Sequence, residues 1–297
     1  MRVGAFEISE PVPELREPHA LAVLQPWIDV GNVGTLVLSR LESQFNASEL
    51  GRLLRPGTFF DFTRYRPVLY MKEGRRELGI PNTSVSHART ETGKDFLLLR
   101  LLEPHMQAET YIDSVLELFK TFGVRSYGLL GSMYDMTPHT RPLLVTGSGS
   151  NLKLQNEMDT AKVVGSDYVG PTSIALLITQ NASAMGIETF TLIVHLPQYL
   201  TLENDYRGQV RLMQVLGSLY GFPLAQEDLD EATKQAESIS QVAERMMQQE
   251  PRYRPVLKHL EAMYDSRVNK TKEESRLSPE LEQLLQDLSR RFTQGQQ

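Results

Sequence analysis

The chain has 297 residues, a net charge of −6 and 40% hydrophobic residues. Its size and composition are ordinary for a globular protein with one large domain and an appendage, or with two modest domains. The acidic balance excludes a broad nucleic-acid surface and disfavours an anionic membrane surface, because both need clustered Lys and Arg. We therefore expect no nucleic acid and no membrane among the partners.

The sequence also limits the possible chemistry and the compartment. It contains no cysteine, which excludes disulfides, thiolate nucleophiles and cysteine metal ligands. The first residues, MRVGAFEISEPVPELREPH, carry Glu and Pro where a signal peptide has an apolar run. The aliphatic runs, such as Ile174–Ile178, are too short to cross a bilayer. These features favour a cytoplasmic location.

Four short apolar segments have the pattern of strands that are covered on both faces, since each is bounded by Gly, Pro or polar residues. They are His19–Gln25, Asp95–Leu102, Arg125–Gly131 and Glu188–Leu196. The segment between Phe59 and His87 contains the run RPVLYM. It predicts an additional β-hairpin or insertion.

Amphipathic segments with apolar residues at helical spacing alternate with these strands. They cover Ala108–Gly123, Thr172–Gly186 and Asp205–Gly221, and a further helix is expected after the segment PWIDVGNVGT, residues 26–35. Strand, helix and strand at this spacing predict βαβ units. The predicted fold class is therefore α/β, a three-layer α/β/α sandwich with a mostly parallel central sheet.

The composition changes after Phe222, where Glu, Gln, Leu, Met and Arg dominate and Pro separates the segments. Three helices are predicted there, at about Gln226–Gln249, Tyr253–Asp265 and Pro279–Phe292. Their charges are mixed rather than basic, so we expect them to pack on the same domain or on a neighbouring subunit. The predicted division is an α/β sandwich domain at 1–224 and a C-terminal helical extension at 225–297.

Polar side chains follow each of the four predicted strands. In a parallel sheet all strands end at the same edge, where ligands bind in a crevice. The loops after the strands are PWIDVGNVGT, EPH, GSMYDMTPHTRP and HLPQY. They supply eight candidates for one shared rim, namely Asp29, Asn32, Glu103, His105, Asp135, His139, Arg141 and His195. Four such loops together predict a pocket at this edge.

The TPHTRP segment, residues 137–142, carries the most chemistry. Its two prolines stiffen the loop, Arg141 can grip a phosphate or carboxylate bidentately, and His139 can act as acid or base near neutral pH. The candidate catalytic residues are His139, Asp135 and Glu103. The alternative is structural, with Arg141 paired to Asp135 or Glu103 and with His139 bonded to backbone.

The other motifs have structural alternatives of similar or greater weight. The DVGNVG segment, residues 29–34, precedes a helix and its amides can hold an anion, but it matches no dinucleotide or P-loop signature. Its glycines can simply permit a tight turn, with Asn32 as the helix cap. Glu103 can cap the following helix or pair with a nearby arginine, and His195 fits a buried, satisfied histidine.

Several kinds of site have no signature in the sequence. HxxxH and HExxH are absent from the predicted helices, and no G-x-S-x-G serine motif occurs. We therefore expect no metal and no cofactor.

In their order along the chain, WxDxGNxG (27–34), FFDF with RP (59–67), EPH, LLGSMYDMTPHTRPLLVTGSGS, YVGPTS (168–173) and HLPQYL resemble the proteasome assembly chaperone 2 family, most closely its bacterial branch. The resemblance covers about residues 20–224. It implies a sandwich akin to the nucleoside phosphorylases, additional C-terminal helices and often a homotrimer. Relatives in eukaryotes and archaea chaperone proteasome assembly. The sequence departs from the family pattern at Gln198, where a histidine is usual.

The residues and the resemblance together give the following ligand-binding candidates: Asp29, Gly31, Asn32, Gly34, Glu103, Gly131, Ser132, Thr137, His139, Arg141, Gly170, Thr172 and His195. They favour a non-enzymatic assembly or interaction protein with a cleft at the sheet edge, acting as a homotrimer and on a protein client. The alternative is a small-molecule-binding protein, or an enzyme of the nucleoside phosphorylase or hydrolase type or an ATP-dependent ligase, that uses residues 131–142.

Overall fold

The computed structural model describes residues 1–268 and 279–295. Its strands in chain order are β1 (Arg2–Val3), β2 (Phe6–Ile8), β3 (His19–Gln25), β4 (Ser48–Leu53), β5 (Val68–Lys72), β6 (Arg75–Gly79), β7 (Ser84–Arg89), β8 (Asp95–Leu102), β9 (Ser126–Asp135), β10 (Val145–Gly149), β11 (Val163–Gly165) and β12 (Glu188–Pro197). Within the described residues, all of them except β5 and β6 form one ten-stranded sheet.

The helices alternate with these strands and then follow them. They are α1 (Val33–Gln44), α2 (Ala108–Phe122), α3 (Leu152–Thr160), α4 (Ile174–Ala184), α5 (Tyr206–Tyr220), α6 (Gln226–Gln249), α7 (Arg254–Val268) and α8 (Pro279–Gly295). Each predicted helix is confirmed. In the described parts of the chain, none of the helices combines the length and the apolar character that a membrane crossing needs.

The strand order of the main sheet is β1-β2-β4-β7-β8-β3-β9-β12-β10-β11. The four strands that the sequence predicts, β8, β3, β9 and β12, are adjacent and parallel, which confirms the α/β fold class. The pairings from β1 to β8 and the pairing of β10 with β12 are antiparallel, so the sheet as a whole is mixed rather than mostly parallel. The sequence misses these outer strands because they are short or half exposed and lack a continuous apolar run.

Helices cover both faces of the sheet and produce the predicted sandwich. One apolar cluster contains side chains from α2 and α4, and a second contains side chains from α1 and α5. Residues of β3 alternate between them, with Ala20 and Ala22 in the first cluster and Leu21 and Val23 in the second. This alternation follows from the two-residue repeat of a strand.

The predicted hairpin is also confirmed. Strands β5 and β6 pair antiparallel, with Lys72 opposite Arg75. The two residues between them, Glu73 and Gly74, have φ values of 49° and 77°. Two successive positive φ values fit the twist of a two-residue hairpin turn. The hairpin forms a separate two-stranded sheet.

The C-terminal extension packs against the sandwich through a third apolar cluster. The extension contributes Ile239 of α6, Tyr253 just before α7, Leu260 of α7 and other side chains, and the segment after β12 contributes Tyr199 and Leu200. An ion pair between Arg40 of α1 and Asp228 of α6 adds a second attachment. Because the cluster draws on both sides of residue 224, the predicted domain division there stays a prediction.

Gly128 of β9 lies directly opposite Phe190 of β12, and a Cβ on Gly128 would lie 2.1 Å from the Phe190 ring. We expect the Gly128→Ala variant to lose about 1–3 kcal/mol of unfolding free energy, because overpacking a core forces the ring and backbone to shift. Urea unfolding measures this loss. The matched control is Gly165→Ala in β11, where no described atom lies within 4 Å of the new Cβ. Equal losses in the two variants would contradict the prediction.

Candidate functional site

The turn between β3 and α1 is closed by Asp29, which is only 7% exposed. Its Oδ1 accepts hydrogen bonds from the backbone N–H groups of Gly34 (2.7 Å) and Thr35 (3.3 Å), and its Oδ2 accepts one from the Thr35 hydroxyl (2.6 Å). Burial raises the pKa of the Asp29 carboxyl, and these bonds oppose the rise. Asn32 stands at the N-cap position as predicted, but its side chain makes no capping hydrogen bond and donates instead to the backbone oxygen of Glu203 (2.9 Å).

The glycines around this turn permit close packing. Gly31 has a φ of 61°, in the left-handed region that favours glycine. A Cβ on Gly131 would lie 2.6 Å from a backbone oxygen of the turn, and the Ser132 hydroxyl donates to another at 2.6 Å. The amide of Gly34 already binds the Asp29 carboxylate. An external anion would have to displace that carboxylate, so the contacts fit the structural alternative.

Asp135 and His195 form a hydrogen-bonded relay with Thr146, a residue that the sequence analysis did not select. Asp135 Oδ2 lies 2.6 Å from His195 Nδ1, and His195 Nε2 lies 2.8 Å from the Thr146 hydroxyl. Carboxylate, imidazole and hydroxyl in this order resemble a hydrolase triad. However, His195 and Thr146 are 3% and 4% exposed, so a substrate has no access to the hydroxyl. The relay joins the ends of β9, β12 and β10.

Asp135 also binds the C-terminal extension. Its Oδ2 accepts a hydrogen bond from Arg267 of α7 at 2.7 Å, and its Oδ1 accepts one from the backbone N–H of Met136 at 2.7 Å. Burial by itself raises the pKa of Asp135, but the hydrogen bonds and charges of His195 and Arg267 outweigh it and hold this pKa at about 2. The carboxylate is therefore ionised at neutral pH and cannot serve as a general acid.

His139 is held by Tyr199. Its backbone N–H donates to the Tyr199 hydroxyl at 2.7 Å, and its Nδ1 lies 2.7 Å from the same oxygen. The hydroxyl oxygen can accept a second hydrogen bond or donate one, so either tautomer of the imidazole makes this contact. Burial and the charge of Arg207 lower the pKa of His139 to about 4. The imidazole is thus neutral at pH 7 and a weak base.

Arg141 binds helix α7, as Asp135 does, but here the cation belongs to the loop and the carboxylates belong to the helix. Its Nε and one terminal nitrogen donate to the two carboxylate oxygens of Asp265, at 3.0 and 2.9 Å, and its other terminal nitrogen lies 3.3 Å from Glu261. The prediction that Arg141 pairs with Asp135 or Glu103 is therefore wrong. A guanidinium held on two carboxylates is not free to grip a ligand.

Glu103 caps α4 rather than the helix that follows it in sequence. Its Oε1 accepts a hydrogen bond from the Ile174 N–H at 3.2 Å, whereas its Oε2 is buried without a partner among the described residues. Burial raises the pKa of this carboxyl. His105 accepts a hydrogen bond from the Asp61 N–H at 3.2 Å, and its ring centroid lies 4.5 Å from that of Tyr65. Tyr65 itself packs against the first apolar cluster.

Gly170 and Thr172 lie in the exposed segment that precedes α4. The Tyr168 hydroxyl folds back to donate to the backbone oxygen of Pro171 at 2.8 Å. A Cβ on Gly170 would lie 2.7 Å from that hydroxyl oxygen. The contacts of this segment are local, and they bring neither residue to the TPHTRP segment.

The structure distributes the candidates over different surroundings. His139 and Arg141 line a cavity of about 670 Å³ together with residues of α5 and α6. Asp135 lines another cavity, of about 660 Å³, together with residues of α8. Neither lining includes Asp29 or Glu103. Among the described residues, no group of three or more His, Cys, Asp or Glu side chains is placed to hold a metal ion.

A model of the PAC2 family matches residues 23–247, a range that contains all the candidates named above. A Mycobacterium tuberculosis protein of unknown function is 24% identical, with a TM-score of 0.76 over 97% of this chain and 98% of that one. A proteasome-assembly chaperone homologue from Mycobacterium tuberculosis is 22% identical, with a TM-score of 0.67 over 75% and 94%.

An archaeal proteasome activator from Pyrococcus furiosus, PbaB, is 16% identical, with a TM-score of 0.62 over 82% of this chain and 100% of that one. No curated protein matches the sequence. At these identities the solved structures show that the fold is shared.

The low pKa of Asp135 predicts a specific loss of stability in acid. The folded-state pKa of about 2 lies below the unfolded value of about 3.9. The unfolded chain therefore binds more protons, and about 2 kcal/mol of stability present at neutral pH should be lost as the pH falls from about 5 to 2. Urea unfolding at pH 3 to 7 should show a flatter acid dependence for Asp135→Asn. Asp113→Asn, at an exposed position of α2, is the matched control, and parallel curves for the two variants would contradict the prediction.

The crossed ion pairs should hold α7 on the sandwich. In the variant Arg141→Ala/Arg267→Ala, the carboxylates of Asp135 and Asp265 lose their arginine partners. We expect local opening of the extension, and hence chymotrypsin cleavage within it, to become about fivefold faster, since exposed pairs contribute modestly. Arg245→Ala on α6 is the control, because that side chain donates to the backbone oxygen of Gln241 on its own helix. Unchanged cleavage of the double variant would show that apolar packing alone holds the extension.

Proposed function

Because the chain belongs to the PAC2 family, we propose that it is a non-enzymatic assembly or interaction protein that works as a homotrimer in the cytoplasm. Relatives of the same fold include a proteasome-assembly chaperone homologue and a proteasome activator, which supports a role in protein assembly. The observation that carries the proposal is an exposed apolar surface on the β5–β6 hairpin.

This surface, the hairpin face, consists of Leu69, Met71 and Leu78, with Ile80 directly after β6. Their side chains are 60%, 64%, 58% and 50% exposed. Leu69 and Leu78 are paired across the strands, so the apolar groups are contiguous. A two-stranded hairpin is marginally stable alone in water, and contiguous exposed apolar groups mark protein contacts. The hairpin face is therefore a docking surface.

A second copy of this chain is the occupant that the charges favour. Residues 66–79 carry four basic and two acidic side chains, in a chain whose net charge is −6. The hairpin is thus a basic element on an acidic molecule, and it is attracted to the acidic body of another copy. If each copy offers its hairpin to the next, the contacts close into a ring, and three copies give the trimer that the family resemblance implies.

The contacts of the candidate loop support the non-enzymatic part of the proposal. Asp135 is an ionised carboxylate between His195 and Arg267, and His139 is a weak base bonded to Tyr199. Arg141 is bound by two carboxylates of α7. A phosphorylase or hydrolase mechanism needs an acid, a base or an anion-binding cation that is free to meet substrate. In this loop the corresponding groups serve the internal structure.

The proposal predicts the mass of the protein in solution. Light scattering after size exclusion should give about three times the chain mass of 33.7 kDa for the wild type. In Leu69→Ser/Leu78→Ser the mass should fall to that of one chain, because the contact loses its apolar core. Leu152→Ser is the matched control, since Leu152 is 83% exposed on α3 away from the hairpin. A monomeric wild type, or a trimeric double variant, would refute the proposed contact.

A further inference from the structure

The cavity of about 670 Å³ between the TPHTRP segment, α5 and α6 has an unusual lining, and we call it the arginine cavity. Three guanidinium side chains line it, Arg141, Arg207 and Arg211, whereas Glu237 is the one carboxylate among its lining residues. The volume lies in the range of pockets that hold small molecules. Arg141 and Arg207 are already paired with carboxylates, so the charge of Arg211 is the one that favours an anionic occupant.

Arg211 supplies a half-buried charge that no described carboxylate neutralises. Its Nε donates to the backbone oxygen of Leu143 at 3.2 Å, and one terminal nitrogen donates to those of Ala161 (3.1 Å) and Lys162 (3.3 Å). These partners are neutral carbonyls, and within the described residues the guanidinium forms no ion pair. Burial accordingly lowers the pKa of Arg211. A bound anion would offset the cost of burying this charge.

Arg207 supplies an unused hydrogen-bond donor beside it. One terminal nitrogen of Arg207 pairs with Asp205 at 2.9 Å, but its Nε is buried and has no partner among the described residues. The side chain is 11% exposed, so water does not readily satisfy that N–H. A buried donor without a partner costs stability, and a ligand oxygen would remove that cost.

The rest of the lining suits a polar ligand. His139 uses Nδ1 for the Tyr199 hydroxyl, and its second ring nitrogen is a further polar group of this residue in the lining. On the opposite side α6 contributes the neutral hydroxyl and amide groups of Thr233, Ser240 and Gln241. The Thr233 and Ser240 hydroxyls donate to backbone oxygens of α6 and can accept from a ligand, whereas the Gln241 amide can also donate.

We propose that the arginine cavity is a binding site for a small phosphate-bearing molecule, with Arg207 and Arg211 as its direct contacts. A guanidinium presents parallel N–H donors that match phosphate oxygens. One wall belongs to the sandwich and the other to α6 of the extension, so the ligand bridges the two. This site is separate from the hairpin face, and its test does not depend on the oligomer.

The test uses the full chain and two probes, inorganic phosphate and pyrophosphate, in calorimetric titration and thermal unfolding. Pyrophosphate should bind and raise Tm above the value in sodium chloride of equal ionic strength. Arg211→Gln should weaken binding about tenfold or more, because a charge-assisted contact is lost. Arg100→Gln should bind like the wild type, since Arg100 pairs with Glu42 elsewhere.

A second variant tests the cavity without altering charge. Ala236 lines the arginine cavity, and Ala236→Phe places a ring in the space that the ligand needs. This variant should remain folded and should lose pyrophosphate binding even if Arg211→Gln is too unstable to measure. The proposal is overturned if the wild type shows no binding beyond the chloride control. It is equally overturned if Ala236→Phe binds pyrophosphate as the wild type does, which would place the anion elsewhere.

Discussion

The region around the sheet edge depends on an exchange of opposite charges between the segment after β9 and helix α7. Asp135 binds Arg267, whereas Arg141 binds Asp265 and Glu261. Because each side carries both signs, the helix is attracted in one register and repelled when it is shifted. The third apolar cluster joins the same two parts of the chain. The extension is thereby fixed over the edge where parallel sheets usually hold their ligands.

This covering changes what the polar residues of the edge can do. The relay from Asp135 through His195 to Thr146 ties three strands together beneath α7 and has no opening to substrate. Asp29 and Glu103 each cap a helix, on opposite faces of the sheet. Two sets of side chains remain for contact with other molecules, those of the hairpin face and those that line the arginine cavity beside α6.

Much of the fold could be predicted because it depends on local patterns. The four central strands are apolar runs, which is what a strand covered on both faces requires, and their order with the helices leads to a parallel core. The hairpin around Gly74 and the helices of the extension follow from turn residues and helical spacing. The outer strands could not be predicted, because β4 and β7 are partly exposed and depend on their neighbours for pairing.

By itself, the sequence determined the family, the α/β class and which loops follow the strands, since these depend on residue order and periodicity. Only the tertiary structure decided the partners of each charge. Arg141 finds its carboxylates 120 and 124 residues away, and His195 meets Thr146 through the register of β10 against β12. Contacts over such distances depend on how helices and strands dock, and no spacing within the TPHTRP segment records that. The arginine cavity could not be predicted for the same reason, because its lining residues come together only when α5 and α6 pack against each other.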